Sequence, residues 1–364
     1  LYVKSVNLIN FRNYENIKID LSPKLNLFLG NNAQGKTNLL ESIYIAAIGK
    51  SYRVTKDRDL INFKKEKAYI GVEAETSRGT RFVEFKFQRD AKKIVRINKL
   101  ELNRLSELSG NINVVIFAPE DLNLVKSGPS ERRAFLDTEI SQIRPRYRYN
   151  LAKYSKIIFQ RNKLLKSRGR INADQLEPWD IQLADVGSDI ILDRMGFIEK
   201  LSCISRDIHK KITDGKESLD IEYRSSFPID KSSKQEIEKS YYGCLCSSRA
   251  KDMEKGNTEY GPHKDDIDIE LNGVSCRTFG SQGQQRTSAL SLKLAEVELI
   301  KEEVGDYPIL LLDDVLSELD SDRRKYLIST FEKVQTIITS TDDVNLLDNE
   351  SKRIFRIEDG SIFR

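Results

Sequence analysis

Apolar positions along this chain recur with two periods, and the places where the period changes divide it. Alternation over residues 3–11 and 17–21 predicts strands, and the continuous apolar run 25–29 predicts another. That run ends at Gly30 and opens through a loop into apolar positions at helical spacing over 36–48. Alternation returns at 81–87, where Phe82, Val83, Phe85 and Phe87 sit among charges, the pattern of a half-buried antiparallel strand. The short run 112–117 predicts a buried strand. From 120 to about 255 strand patterns nearly vanish and long helical stretches dominate, for example 173–213. Alternation resumes at 265–271, followed by a helix (284–303), a buried strand (309–312), a helix (322–331), a strand (336–340) and a small strand pair near 354–363. The pattern is that of an α/β domain in two parts, 1–120 and 256–364, interrupted by a mostly helical insertion at 121–255.

Composition narrows the classes open to it. With 364 residues and 39% apolar side chains the chain can bury a sizeable core, about two domains' worth. No stretch approaches 18 consecutive apolar residues, and no basic segment followed by an apolar one opens the chain. A soluble, cytoplasmic protein without a membrane span is therefore expected; the start at Leu1 rather than Met suggests a trimmed or unusual beginning. The four cysteines (Cys203, Cys244, Cys246, Cys276) form no Cys-x-x-Cys pair, and His209 and His263 are the only histidines. A zinc ribbon, a His-rich metal centre and a disulfide framework are disfavoured. Cys244 and Cys246 read better as small half-buried side chains than as metal ligands, so any metal chemistry should use oxygen ligands.

Charge is balanced overall, 60 basic against 56 acidic, and unbalanced locally. Residues 142–170 carry ten basic side chains and no acidic one. Tyr147, Leu151, Tyr154, Ile158 and Leu165 recur there at helical spacing, which predicts an amphipathic helix with a basic outer face. Such a face best suits a phosphate backbone; a solvated face neutralised by acids elsewhere in the fold is the next reading and an anionic lipid the last.

Gly30-Asn31-Asn32-Ala33-Gln34-Gly35-Lys36-Thr37 matches G-x-x-x-x-G-K-[ST] without mismatch, with a strand entering and a helix leaving. Such a loop turns backbone N–H groups inward around phosphates at a helix N-terminus. Residues Gly30 to Thr37 and Asn38 are the candidate nucleotide contacts, Lys36 reaching the β- and γ-phosphates and Thr37 ligating Mg²⁺. The run Ile309-Leu310-Leu311-Leu312-Asp313-Asp314 supplies carboxylates at a strand end: Asp313 for Mg²⁺, Asp314 to orient or deprotonate a water. Taken alone, the same run fits a strand followed by a capped turn.

Ser281-Gln282-Gly283-Gln284 opens the next long helix and resembles the signature of ABC-type ATPases, with Gln282 where glycine is common. A simple helix cap is the alternative. In that superfamily the signature binds the γ-phosphate held by the opposite subunit, and Ser317-Glu318-Leu319-Asp320 resembles the D-loop that crosses the same interface. The wider set Asn10-Phe11-Arg12-Asn13-Tyr14, residues 32–41, Pro119-Glu120-Asp121-Leu122, Gly261-Pro262-His263-Lys264-Asp265-Asp266, residues 281–286 and residues 311–320 resembles the RecF family of bacterial recombination mediators. The resemblance covers essentially the whole chain in order.

It implies an ABC-type P-loop ATPase head, a mixed sheet plus an antiparallel β-lobe, with an inserted helical domain and no long coiled coil of the SMC or Rad50 kind. It also implies ATP and Mg²⁺ as cofactors, and a homodimer that closes on ATP. DNA at single-strand/duplex junctions, RecR and RecO, and indirectly RecA would be partners, with no membrane. Slow hydrolysis would act as a switch through Lys36, Asp314 and the partner's copy of Ser281. A non-hydrolysing DNA or protein clamp, and a transporter subunit, are the alternatives. Asp314 stands where many ABC ATPases have glutamate, consistent with slow turnover. Arg12 either contacts nucleotide or pairs with acids on the β-lobe, and His263 is either a turn residue or an interface contact. Arg53, Lys56 and Arg58 either sense DNA or nucleotide or lie in a solvated loop. Arg144, Arg148, Lys153, Lys156, Arg161 and Lys163 are the candidate DNA contacts, neutralising phosphates without base preference.

Overall fold

The computed structural model describes residues 1–167, 173–229, 233–330, 333–341 and 352–363, so Arg168 and Arg170 of the basic run lie outside it. The chain forms two compact units, Leu1–Asp121 with Leu290–Arg364, and Leu122–Ala289. In chain order the first unit starts with β1 (Tyr2–Phe11), β2 (Tyr14–Asp20), β3 (Leu25–Leu29) and α1 (Lys36–Ile48). It continues with β4 (Lys67–Thr76), β5 (Gly79–Gln88), β6 (Ile94–Ile97), β7 (Leu100–Glu101) and β8 (Val114–Phe117). The second unit follows with α2 (Asn123–Lys126), α3 (Pro129–Ile143), α4 (Pro145–Leu165), α5 (Glu177–Ile212), β9 (Leu219–Arg224), α6 (Lys234–Lys255), β10 (Asp266–Leu271), β11 (Val274–Ser275) and α7 (Cys276–Phe279). Helix α8 (Gln282–Val304) carries the chain back to the first unit, which ends with β12 (Ile309–Asp313), α9 (Ser321–Thr330), β13 (Thr336–Ser340), β14 (Lys352–Glu358) and β15 (Ser361–Phe363).

Two six-stranded sheets build the first unit. One is antiparallel, in the order β2-β1-β4-β5-β6-β7. The other runs β15-β14-β3-β13-β12-β8, parallel from β14 to β8. Strands β3, β8, β12 and β13 are buried at every position, as continuous apolar runs in a parallel sheet should be. Helix α1 contacts β4 and β5 of the antiparallel sheet and β8, β12 and β13 of the parallel one. Covered by both, it is apolar nearly all round, and even Glu41 and Ser42 are buried. Strand β4, which the sequence pattern does not predict, buries Ala68, Ile70, Val72 and Ala74 in alternation. Its weak signal comes from alanines and Gly71 where larger β-formers usually stand.

The second unit carries α3 to α6 and a three-stranded sheet, β11-β10-β9. Strand β9 pairs along its length with β10, Leu219 opposite Leu271 and Arg224 opposite Asp266. That pairing corrects the expected boundary: the unit closes at Ala289 rather than near 255, since β10 and β11 complete its sheet. Ser281 to Gln284 accordingly belong to the second unit.

Candidate functional site

The loop Gly30 to Gly35 leaves the C-terminal end of β3 and enters α1 at Lys36. Ligands of open α/β sheets bind at this edge, outside the carboxyl ends of parallel strands. Gly35 takes a left-handed φ of 117°, and a Cβ there would stand 2.6 Å from the Asn13 side chain. A Cβ on Gly30 would lie 2.5 Å from the Ile357 carbonyl oxygen. Close approach thus fixes both glycines, and at Gly35 the left-handed turn does so as well. The Lys36 side chain is buried in the loop, its Nζ donating to the carbonyls of Gly30 and of Asn31, the latter at 3.2 Å.

Asp313, at the end of β12, joins four elements. Its Oδ1 accepts from Thr37 Oγ1 at 2.8 Å and from Thr339 Oγ1 at 2.9 Å, and its Oδ2 accepts from Tyr52 Oη at 3.2 Å. Register explains the bond to Thr339. Strand β13 lies between β3 and β12, pairing Thr339 with Asp313 on one side and with Phe28 on the other. Asp314, next in chain, adopts φ 58° and donates its N–H to Thr339 Oγ1 at 3.1 Å. Tyr52 and Thr339 escape the sequence reading. Only Tyr52 leaves a trace, as an aromatic just after the P-loop helix; its ring meets Tyr44 edge-on at 5.1 Å. Burial first, and the Asp313 and Glu41 carboxylates next, push the Tyr52 phenol well above its ordinary pKa, so it stays a hydrogen-bond donor.

The segment Asn10 to Tyr14 braces the loop from outside. Asn13 Nδ2 donates to the Gln34 carbonyl at 2.8 Å, Asn13 Oδ1 accepts from Asn38 Nδ2 at 2.8 Å, and Tyr14 Oη donates to the Gly35 carbonyl at 2.9 Å. Arg12 makes a two-pronged ion pair with buried Glu41, at 2.9 and 2.7 Å, and donates to the Asp59 carbonyl at 2.9 Å. All its nitrogens are engaged inside the protein. The structure thus gives Arg12 a carboxylate of the P-loop helix as partner, rather than an acid of the β-lobe. Arg53 donates to Asn38 Oδ1 at 2.8 Å, tying the next loop to the same helix. Beside the P-loop, a cleft of about 510 Å³ is lined by Gly30, Asn31, Gln34, Thr341, Arg356 and Asp359 among others. The residues from the end of β14 carry no sequence signal for this position.

In the second unit the signature turn is a reciprocal cap. Gln284 N–H donates to Ser281 Oγ at 3.2 Å, and Ser281 N–H donates to Gln284 Oε1 at 2.8 Å. This is the Ser-x-x-Gln capping box, which presents the start of α8 with Ser281 and Gln282 exposed. The D-loop side chains Ser317 and Glu318 are outside the described residues. In the Gly261 to Asp266 segment Gly261, Pro262 and Asp265 are buried, His263 and Asp266 are half-buried and Lys264 is exposed. A Cβ on Gly261 would collide with the Tyr241 and Tyr154 hydroxyls. His263 Nε2 donates to the Thr258 carbonyl at 3.0 Å, which leaves Nδ1 to accept from Tyr154 Oη at 2.9 Å. Burial lowers its pKa to about 4, so the imidazole is neutral. His263 is a turn residue here.

Helix α4 forms where the basic run predicts one, with its buried face shifted. Tyr147, Asn150, Tyr154, Ile157, Arg161 and Leu165 point inward, while Leu151 and Ile158 are only half-buried. Arg161 is therefore not a DNA contact. It is fully buried, pairing with Asp180 Oδ1 at 2.8 Å and Asp252 Oδ2 at 2.7 Å and donating to Thr258 Oγ1 at 2.8 Å. Arg144 pairs with Asp193 at 2.7 Å, and Arg148 is half-buried, its pKa lowered by burial to about 10. Lys153, Lys156 and Lys163 are exposed, and no carboxylate pairs with them among the described residues.

A P-loop between a buried parallel strand and an enclosed helix, its threonine bonded to a strand-end carboxylate, defines a P-loop nucleotide-binding head, and the fold built around it is that of the ABC-type ATPases. The family described as RecF/RecN/SMC N terminal domain matches residues 2–361. The DNA replication and repair protein RecF of Clostridium tetani is 46% identical over 363 residues, covering 99% of each chain. A solved structure of the recombination mediator protein RecF with ATP in the RecFOR pathway superposes with a TM-score of 0.93 at 37% identity, covering 100% of this chain and 97% of that one. The Smc head domain of Pyrococcus furiosus, with an extended coiled coil and bound to the C-terminal domain of ScpA, shares the fold alone: TM-score 0.56 and 15% identity over 99% of this chain and 95% of that one. The chain belongs to the RecF family.

Proposed function

We propose that this protein is an ATP-dependent DNA-binding protein of recombinational repair and replication. It binds gapped or single-strand/duplex junction DNA as an ATP-sandwiched homodimer and, with RecO and RecR, helps load RecA. The observation that carries the nucleotide reading is the 2.8 Å bond from Thr37 Oγ1 to Asp313 Oδ1. It joins the P-loop to a strand-end carboxylate across 276 residues of sequence. The loop opens directly into the N-terminus of α1, where backbone N–H groups suit phosphates. Thr37 and Asp313 are hard oxygen donors and fit Mg²⁺, which binds through one or two protein oxygens and the phosphates themselves. Bound Mg²⁺ would offset phosphate charge there.

Each side chain then has a defined task. Lys36 turns its ammonium from the loop carbonyls to the phosphates. Asp314 holds the attacking water and takes its proton. Its short side chain, next to the Asp313 hydrogen-bond group, favours slow turnover. Ser281, whose Oγ accepts from the backbone, keeps its O–H to offer to the γ-phosphate of a partner subunit. Hydrolysis removes the group that both subunits hold, so the dimer loosens. The exposed lysines of α4 support nonspecific phosphate binding.

Fluorescence anisotropy with single-strand, duplex and gapped DNA, under ATP, ADP and no nucleotide at two salt concentrations, tests this. ATP should tighten binding to duplex-containing DNA, with affinity falling steeply as salt rises. Asp314→Asn should stop turnover and trap the ATP-bound dimer. Binding indifferent to nucleotide on every DNA would defeat the switch, and an Asp314→Asn protein that still turned over would defeat the assignment of Asp314.

A further inference from the structure

We propose that the outer face of α4 is a stacking strip for single-stranded DNA, on which Tyr149 and Phe159 each take a nucleobase while Lys153, Lys156 and Lys163 hold the intervening phosphates. This rests on the DNA-binding reading above and deepens it. The geometry is that of one helix. Opposite the buried stripe, Tyr149, Lys153, Lys156, Phe159 and Lys163 follow one another at steps of three and four residues, so all share a face. Phe159 is 65% exposed and Tyr149 45%. One exposed aromatic is ordinary. Two on a single face, each followed one turn later by a lysine with a third lysine between them, form a pattern with a physical use. Helix α4 has no acidic residue anywhere along it.

The chemistry selects the occupant. Lysines on a face attract any phosphate backbone, duplex or single strand. Aromatic rings at the same surface add something only where base faces are free, because a duplex hides them in its stack. Single strands offer both at once, and base–aromatic stacking tolerates any sequence. At 1.5 Å rise per residue the two rings stand about 15 Å apart along the axis, room for separate bases with phosphates between. An apolar protein partner would match the rings but gain nothing from three lysine point charges.

The test compares the full-length protein with Tyr149→Ala/Phe159→Ala and with Lys153→Ala/Lys156→Ala/Lys163→Ala, on oligo(dT) and on blunt duplex. All five side chains lie on the surface, so unchanged thermal midpoints confirm folding. The aromatic variant should bind oligo(dT) at least about tenfold more weakly, with duplex affinity within about twofold. The lysine variant should weaken both and flatten the salt dependence by about two to three phosphate contacts. As a direct readout, emission from Phe159→Trp should be quenched by oligo(dT) and not by duplex. If the aromatic variant binds oligo(dT) like the parent while the lysine variant is weakened, stacking is refuted and the DNA face stands. Parental behaviour of both variants on both DNAs removes α4 from DNA binding and takes the inference with it. An aromatic variant that binds DNA normally but no longer dimerises with ATP would show that a second copy of the chain covers the strip, also overturning it.

Discussion

Replacing Arg161 with leucine separates the two faces of α4. The arginine and both of its carboxylate partners have no exposed side-chain surface. Arg161→Leu removes three hydrogen bonds and one of the two cations facing Asp180. Asp180 keeps Arg249, whose Nε donates to it at 2.7 Å. Among the described residues Asp252 keeps only neutral donors, the Glu259 N–H at 3.1 Å and the Ser248 hydroxyl at 3.3 Å, and becomes a buried charge without a counter-ion there. Removing one partner of a buried pair costs about 3–5 kcal/mol, and because Arg249 remains the lower end applies, about 3 kcal/mol. For a unit of this size that is a fall of about 6–12 °C in thermal midpoint. Adding Asp252→Asn should recover part of the loss by removing the stranded charge. Lys156→Ala, five residues earlier on the outer face, should stay within about 0.5 kcal/mol of the parent. Calorimetry or circular dichroism reads the midpoint, and DNA anisotropy well below it reads binding. Arg161→Leu melting with the parent, or losing DNA affinity while fully folded, would refute the inward assignment.

Two further perturbations probe other buried groups. Tyr52→Phe keeps the ring on Tyr44 and removes only the donor to Asp313 Oδ2; stability should change by about 1 kcal/mol or less. The Mg²⁺ concentration for half-maximal ATP turnover should rise about tenfold, as for other hydrogen bonds that orient metal ligands, and an unchanged Mg²⁺ dependence would remove Tyr52 from the site. His263, held at about 4 in the fold against an ordinary 6.5, refuses a proton that the unfolded chain accepts between those values. Its contribution is present above pH 6.5, is lost as pH falls toward 4 and is level below, about 3 kcal/mol in all. Urea unfolding of the parent and of His263→Gln across that range should diverge within this window and run parallel outside it; parallel curves throughout would mean the ring is not held neutral.

What could be read in the sequence was what chemistry fixes locally. The P-loop is legible because glycine, lysine and threonine must follow one another within one turn. Asp313 is legible because a buried strand must end before a carboxylate can reach the edge of the sheet. Tyr52 was not, since its bond to Asp313 spans 261 residues and depends on how the loop after α1 folds back. Strand β9 alternates locally, Leu219, Ile221 and Tyr223 against Asp220, Glu222 and Arg224, but it is six residues set among long helices, and only its pairing with β10 shows that it belongs to a sheet; that pairing is also what moved the boundary of the second unit. Arg161 is the most instructive case. A helical stripe through Tyr147 and Tyr154 can continue through Leu151 and Ile158 or through Asn150, Ile157 and Arg161. Hydrophobicity favours the first, and the protein takes the second. Nothing near Arg161 in sequence marks that choice, because the acids that make it tolerable are 19 and 91 residues away. The consequence reaches function. A count of basic residues overstates the charge this helix shows to solvent, since Arg161 is inside and Arg144 is paired. The free charge belongs to three lysines, groups that attract phosphate without fixing its orientation. Discrimination among DNA forms on this face must therefore come from the side chains beside those lysines; of the exposed ones, Ala152 and Gln160 have no ring to offer a base, whereas Tyr149 and Phe159 do.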